Sequence, residues 1–126
     1  MKKKMVTALL AVSMLAGLSA VNVMAADDHT ITVGFSQVGA ESDWRTANTE
    51  SMKSTFSEDN GYELIFDDAQ QKQENQLTAI RNFIQQEVDY IVLAPVTETG
   101  WDTVLQEAKD AGIPVIIVDR MVDVSD

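Results

Sequence analysis

Asp119 and Arg120 stand side by side directly after an apolar run of the chain, residues 113–118. A carboxylate accepts hydrogen bonds from two hydroxyl groups, while a neighbouring guanidinium donates to one or more. Such a pair suits a neutral polyhydroxyl ligand, because each charge-assisted hydrogen bond in a dry cleft is worth about 1.5–3 kcal/mol. On pattern alone a surface ion pair explains the two residues equally well, so their place in the fold must distinguish the interpretations.

Other residues with suitable chemistry lie just after apolar segments of the chain. Trp44 offers an indole face on which the C–H groups of a sugar ring can stack, although a core position explains it equally well. Arg45 is either a ligand contact or a solvated helix residue, and Trp101 is interpreted as core because it begins an apolar helix face. The full set of polar and aromatic candidates is Ser36, Gln37, Glu41, Trp44, Arg45, Gln70, Gln71, Thr97, Trp101, Asp119 and Arg120.

Four apolar segments that would position these candidates are predicted to be strands. They are residues 30–35, 62–68, 90–94 and 113–118, and each interval between them fits a strand–helix–strand crossover. Hydrophobic residues recur at helical spacing within the intervals, and the first helix is predicted to end at Asn60-Gly61. The order βαβαβαβ indicates an α/β fold, a doubly wound parallel sheet with helices on both faces.

The fourth strand is apolar throughout, so we expect both of its faces to be covered. In sheets of this kind the ligand binds beyond the carboxyl ends of the strands, where the strand order reverses. That rule selects residues 36–44, 67–71, 94–101 and 119–120 as the functional edge. The position of Asp119-Arg120 at this edge favours a binding role over a surface ion pair.

Signatures of other functional classes are incomplete. Gly34 and Gly39 are not followed by the Lys and Ser or Thr of a phosphate-binding loop, and no Gly-x-Gly-x-x-Gly pattern occurs. Asp67-Asp68 does not supply the acids of a phospho-receiver and is too small a set to hold a metal. The single histidine, His29, is interpreted as a solvated residue near the start of the fold, and no nucleophile has an evident base. We therefore predict no cofactor, no metal and no enzymatic activity.

Residues 1–25 have the three parts of a secretory signal: lysines at 2–4, an apolar run, and small residues before a cut after Ala25. Because they hold three of the nine basic residues and no acid, residues 26–126 carry 6 basic and 20 acidic residues, a formal charge of −14. This acidity argues against a nucleic-acid partner. No cysteine is present to form a disulfide or carry a lipid anchor, so we predict a free periplasmic protein.

Residues 26–126 are predicted to form one domain. The chain stops after residues 121–126 without a strand that would close the sheet, so we expect this domain to be incomplete. An open sheet edge of this kind is prone to pairing with other chains.

Three stretches resemble the periplasmic sugar-binding proteins of bacterial ABC importers, in the class that binds ribose and galactose. They are VGFSQVGAESDWR (33–45), DDAQQKQENQLTAIRNFIQQEVDYIVLAPV (67–96) and GWDTVLQEAKDAGIPVIIVDR (100–120). The segment 35–45 and the glutamine-rich run 70–76 resemble the galactofuranose-binding branch most closely. The Asp-Arg pair after an apolar strand is shared more widely in the class.

The resemblance implies two similar α/β lobes joined by a hinge, of which residues 26–126 would be the truncated N-terminal lobe. It implies that a monosaccharide binds between the lobes, and that the closed form, a monomer at full length, delivers the sugar to an inner-membrane ABC permease. It assigns the grip on sugar hydroxyls to Asp119 and Arg120, and stacking on the ring to Trp44. The same loop would supply further polar contacts from Ser36, Gln37, Glu41 and Arg45.

A sugar-responsive regulator or sensor is the alternative, because such proteins can share this lobe. A regulator of that type would carry a basic helix-turn-helix before the first strand, where this chain has the predicted secretory signal. The receptor is therefore the preferred interpretation.

Overall fold

A computed structural model describes residues 29–124, so the predicted secretory signal at residues 1–25 lies outside the described part. The described residues form one parallel sheet and three α-helices in the predicted βαβαβαβ order. None of these helices has the length and hydropathy that a bilayer-spanning segment requires. The elements are β1 (Ile31–Gln37), α1 (Asp43–Thr55), β2 (Tyr62–Asp68), α2 (Gln73–Gln85), β3 (Tyr90–Leu93), α3 (Asp102–Asp110) and β4 (Val115–Ile117).

The strand order across the sheet is β2-β1-β3-β4. Strand β1 is central, and Phe35 pairs with Phe66 of β2 on one side and with Val92 of β3 on the other. The chain moves outward from β1 to β2 and then crosses back to β3, so the strand order reverses between β1 and β3. The carboxyl ends of these two strands therefore form the crevice at which ligands bind in open α/β sheets.

Helices cover both faces of the sheet, which confirms the doubly wound prediction. Helix α1 packs on one face, where Val33, Phe35 and Val92 form a buried cluster with Met52 and Phe56 packed against it. Helices α2 and α3 pack on the other face. There the buried cluster includes Ile80 and Phe83 of α2, Ile91 and Leu93 of β3, and Val104 and Ala108 of α3.

Gly34 of β1 is required by the close approach of α2. A Cβ atom on this residue would lie 2.5 Å from Cγ of Phe83, which is too close for any real contact. Phe83 is almost completely buried and cannot move aside without disturbing the core. This glycine therefore serves packing between helix and sheet, which agrees with the failure of the phosphate-loop pattern around it.

The first helix ends earlier than predicted. It stops at Thr55, and a short 3₁₀ turn (Glu58–Asn60) precedes Gly61, whose φ is 84°. Phe56 leaves the helix because its ring packs edge-to-face against Tyr62, with the centroids 5.1 Å apart. The Asn60-Gly61 signal therefore ends the connection rather than the helix itself.

The prediction for the fourth strand was wrong in its length and in its burial. The strand spans only Val115–Ile117, and the Ile116 side chain is 49% exposed. Pro114 has no N–H to donate to a ladder, and Ile113 packs into the core instead of extending the strand. In the sheet that residues 29–124 form, β4 lies at one edge, and Ile116 lies outside the cluster that α1 covers.

Candidate functional site

A network of three charged side chains lies at the carboxyl edge of the sheet. Arg45 of α1 donates from Nε and Nη2 to Oδ2 of Asp119, at 3.3 and 3.1 Å, and its Nη1 forms an ion pair with Glu41. The side chains of Arg45 and Asp119 are only 12% and 19% exposed. Three residues predicted as ligand contacts are thus brought together, and Arg45 joins the two carboxylates.

Local backbone features bring these groups together. Ser42 caps α1, and its Oγ accepts a hydrogen bond from Arg45 N at 3.2 Å, which fixes the first helical turn. Asp119 follows β4 with a φ of 70°, a conformation in which non-glycine residues are strained. The chain turns sharply there, so the carboxylate reaches across to a residue 74 positions away.

Arg120 points away from Asp119 and does not join this network. Its Nη1 donates to the carbonyl oxygen of Val96 at 3.0 Å, on the loop between β3 and α3. Among residues 29–124, no other hydrogen bond engages this guanidinium, and no group bonds to Oδ1 of Asp119. The two adjacent residues therefore bond to different partners, and Arg120 keeps donors and Asp119 an acceptor that no described residue occupies.

The two tryptophans have opposite environments. Trp44, the second residue of α1, is 56% exposed, which removes the core interpretation and leaves its indole face open. Trp101 is fully buried, and its Nε1 donates to the carbonyl oxygen of Thr97 at 2.8 Å. The prediction that Trp101 is core is confirmed.

Ser36 and Gln37 were predicted as ligand contacts, but the structure places both beneath the surface. Both are completely buried. Ser36 Oγ donates to Oδ2 of Asp67 at 2.9 Å, and Gln37 Nε2 donates to Oδ1 of Asn48 at 2.9 Å. A longer contact of 3.5 Å joins Gln37 Nε2 to the carbonyl oxygen of Arg45. These two residues support the ends of β1 and α1 rather than face a ligand.

Gln76 is a second buried glutamine beneath the carboxyl edge, and it was not among the predicted candidates. It lies at the start of α2 in the glutamine-rich run, which reads as a polar helix face, yet it is completely buried. Its side-chain amide hydrogen-bonds to the backbone on both sides of Pro95. A polar residue at a core-facing position of the helix, three residues before Ala79, was the available signal.

Gln70 and Gln71, also in that run, are exposed and have positive φ values of 51° and 60°. The N–H of Gln71 donates to the carbonyl oxygen of Val38 at 2.7 Å, which ties the loop after β2 to the loop after β1. Asp119 also has a positive φ, so three residues at the carboxyl edge have this uncommon backbone conformation.

Two carboxylates, one at each end of the parallel strands, have pKa values shifted in opposite directions. Partial burial raises the pKa of Asp67 at the carboxyl edge, with Asp68 adding to the rise and the Ser36 hydrogen bond opposing it. At the opposite edge, the N–H of Thr32 lowers the pKa of Asp89, which also lies 3.0 Å from Nε2 of His29. His29 is exposed, as predicted, but it has this partner. Within residues 29–124 no group of three potential ligands could hold a metal ion.

Residues 33–125 match the periplasmic binding protein domain family. The galactofuranose-binding protein YtfQ of Escherichia coli K12 is 57% identical over 96 residues, which are 76% of this chain and 30% of that protein. A Mycobacterium smegmatis protein in complex with β-D-fucofuranose is 62% identical with a TM-score of 0.73, over 76% of this chain and 31% of that one.

A third similar protein is the periplasmic binding component of the arabinose ABC transporter from Shewanella sp. ANA-3, bound to α- and β-L-arabinofuranose. It is 59% identical with a TM-score of 0.71, over 75% of this chain and 31% of that one. This chain therefore spans about three-tenths of the length of each of these proteins. Each is similar over the same α/β lobe that carries the charged edge.

Proposed function

Because this chain belongs to the periplasmic binding protein domain family, we propose that it acts in the solute-binding component of a bacterial ABC importer for a monosaccharide. The observation that carries the proposal is the carboxyl edge of the sheet. There Asp119 and Arg120 hydrogen-bond to Arg45 and Val96, which follow the two strands between which the strand order reverses, and Trp44 beside Arg45 is exposed. This is the chemistry that a ring with hydroxyl groups on its rim requires.

We further propose that the ligand is a sugar in its furanose form, such as galactofuranose or a related pentose or hexose. The names and bound ligands of three proteins that are 57–62% identical to this chain support this class. The charges of the site support a neutral ligand, because Arg45 is already neutralised by two carboxylates. An anionic sugar would meet Glu41 and Asp119 at the same edge.

In this proposal each side chain has a separate role. Oδ1 of Asp119 accepts a hydrogen bond from a sugar hydroxyl while Oδ2 stays on Arg45. The remaining N–H groups of Arg120 donate to ring or hydroxyl oxygens, and Trp44 stacks on the C–H face of the ring. Arg45 and Glu41 hold the carboxylates in place, so Arg45 acts mainly through Asp119.

The wider context is also part of the proposal. Residues 1–25 would direct export to the periplasm, and residues 26–126 would form a sugar-binding lobe that works as a monomer with a permease in the inner membrane. We propose a binding role and no catalysis, which agrees with relatives named for sugar binding and transport.

The experiment that tests the proposal is calorimetric titration with a panel of sugars, using the protein that the complete reading frame encodes. We expect binding of a furanose-forming monosaccharide such as galactose, arabinose or fucose, and no binding of galacturonic acid, the acid that corresponds to galactose. A protein that binds none of these neutral sugars would contradict the proposal.

Asp119→Ala should then abolish binding, because it removes the hydroxyl acceptor and leaves Arg45 with one carboxylate. Truncating one partner of a hydrogen-bonded charge pair that the bound ligand covers costs about 2–5 kcal/mol, which weakens affinity ~30-fold or more. Glu107→Ala is the matched control, since Glu107 also pairs with an arginine but lies on the outer helices. An Asp119→Ala affinity within twofold of wild type, with Glu107→Ala unchanged, would remove Asp119 from the site.

A further inference from the structure

Gln76 binds the loop after β3 as a neighbouring strand would. Its Nε2 donates to the carbonyl oxygen of Ala94 at 2.7 Å, and its Oε1 accepts from the N–H of Val96 at 2.9 Å. The side chain is completely buried; the bond to Ala94 is buried with it, and the bond to Val96 is partly buried. One amide group therefore fixes the backbone on both sides of Pro95.

The loop needs this support because the regular strand pairing ends there. The last ladder bond from β3 to β1 is Ala94 N to the carbonyl oxygen of Ser36, at 3.0 Å. Pro95 is buried and has no N–H with which to continue the pairing. Without Gln76, the buried carbonyl of Ala94 and the partly buried N–H of Val96 would both lose this partner.

Val96 connects this support to the proposed site. Its N–H is held by Gln76, and its carbonyl oxygen accepts from Nη1 of Arg120 at 3.0 Å. The two groups flank the same residue, so a rotation of the Val96 backbone would move the acceptor that holds the guanidinium. That contact is the one hydrogen bond that holds the Arg120 guanidinium among residues 29–124.

We propose that Gln76 is a positioning residue for Arg120. This buried glutamine on α2 does not touch Arg120, which is 44 positions away, but it controls how tightly Arg120 holds the ligand. The effect on affinity rests on the sugar-binding function proposed above. The geometric part, that Gln76 controls the placement of Arg120, does not.

A double-mutant cycle tests the effect on affinity, using the protein that the complete reading frame encodes. Gln76→Met keeps the length and volume of the side chain but removes both hydrogen bonds, and we expect about a tenfold loss of sugar affinity. If Gln76 acts through Arg120, Gln76→Met should cause no further loss in an Arg120→Ala background. Additive losses in the double mutant would overturn the proposal.

Two further variants separate positioning from stability. Ile80 lies on the same helix as Gln76, is completely buried and forms no hydrogen bond to Val96. Ile80→Val should therefore lower the melting temperature but leave sugar affinity unchanged. Gln76→Glu keeps an acceptor for the Val96 N–H but turns a carboxylate oxygen toward the carbonyl oxygen of Ala94. It should therefore unfold at a lower temperature than Gln76→Met and yet bind the sugar more tightly. An affinity that follows the melting temperature across all three variants would show a purely structural role.

Nuclear magnetic resonance gives a measurement that needs no sugar. The guanidinium N–H signals of Arg120, assigned by comparison with Arg120→Ala, should shift and exchange faster in Gln76→Met, and should be unchanged in Ile80→Val. Unchanged Arg120 signals in Gln76→Met would overturn the positioning role. If the wild type binds no sugar at all, the proposed function fails, and this measurement alone still decides whether Gln76 holds Arg120.

Discussion

Two arginine–carboxylate pairs in this molecule have similar hydrogen bonds but opposite surroundings. At the carboxyl edge, Arg45 bonds to Asp119 at 3.1 and 3.3 Å, with side chains 12% and 19% exposed. On the outer surface, Arg81 of α2 bonds to Glu107 of α3 at 2.9 and 3.1 Å, with side chains 51% and 39% exposed. The outer pair has the shorter hydrogen bonds, although it is the pair that faces solvent.

The difference shows that good geometry alone does not mark a functional pair. The outer pair raises the pKa of Arg81 and lowers that of Glu107 through their hydrogen bond, as expected for an isolated ion pair between neighbouring helices. Such exposed pairs contribute little to stability. The edge pair shares its arginine with a second carboxylate, Glu41, and joins loops that are distant in sequence. The arrangement around the arginine, not the pair itself, is what suits binding.

Removal of each arginine should give the largest contrast. Arg45→Ala leaves Glu41 and Asp119 close together without a cation, and we expect a loss of about 2 kcal/mol or more in sugar binding, ~30-fold in affinity. Arg81→Ala should leave affinity unchanged, because only the α2–α3 surface loses a contact. Calorimetric titration of both variants measures the contrast.

Equal losses of affinity in the two variants would mean that the edge pair has no special role. Arg45→Lys sharpens the test, because an ammonium cannot reproduce contacts from three nitrogen atoms to two carboxylates. We expect its affinity to lie between that of wild type and that of Arg45→Ala.

The two regions also differ in how they use strained backbone. Glu87 follows the end of α2 with a φ of 55°. The end of the helix is held by backbone hydrogen bonds and does not need the Glu87 side chain. Glu87→Gly should therefore stabilise the fold by about 0.5–1 kcal/mol, since glycine adopts this conformation without a Cβ penalty. Thermal or denaturant unfolding measures the gain.

Asp119→Gly is the matched variant at the carboxyl edge, where φ is 70°. It relieves the same kind of backbone strain but removes the carboxylate, so any gain in stability should come with loss of sugar binding. Retained binding in Asp119→Gly would show that the turn, and not the carboxylate, matters at this position.

The smallest expected effects concern pH. Burial raises the pKa of Asp67, so the folded protein holds this proton to higher pH than the unfolded chain does, and stability is lost as pH rises through the raised pKa. Asp67→Asn should remove that loss and stabilise the fold at pH 7, but not at pH 3. The gain should stay below about 1 kcal/mol, because the carboxyl is only partly buried and solvent screens it.

Glu107→Gln should behave in the opposite way. Because the Arg81 hydrogen bond lowers the pKa of Glu107, its contribution is present above the ordinary carboxyl range and is lost as pH falls through the lowered pKa. The variant should be less stable than wild type at pH 7 and equal to it at pH 3. Melting curves at the two pH values check both signs, and shifts of the same sign would contradict this account.

Much of the fold could be predicted because its signals are local. Strand β3 and helices α2 and α3 are apolar or periodic segments closed by recognisable ends, and the structure has the strand within a residue of its predicted bounds and a helix in each predicted interval. The exposed Ile116 could not be predicted, because an apolar strand reads the same in the centre of a sheet as at its edge.

The roles of the polar residues at the edge were harder to predict. Ser36 and Gln37 follow the apolar part of β1 and were grouped with Glu41, although they are buried and bonded to the protein itself. Gln76 was not singled out, because it stands in a glutamine-rich run that would equally fit a polar helix face. The sequence does not distinguish a glutamine that faces solvent from one that hydrogen-bonds to buried backbone, because both can stand among nearly the same neighbouring residues.

The sequence by itself determined which residues reach the carboxyl edge, because the βαβ order and the apolar periods place every strand end on one side of the sheet. Only the tertiary structure decided what those residues do there. Side-chain partners depend on loops that are distant in the chain, so Asp119 bonds to Arg45 while adjacent Arg120 bonds to Val96. Burial follows from how many layers cover a strand, and no segment of sequence contains that information.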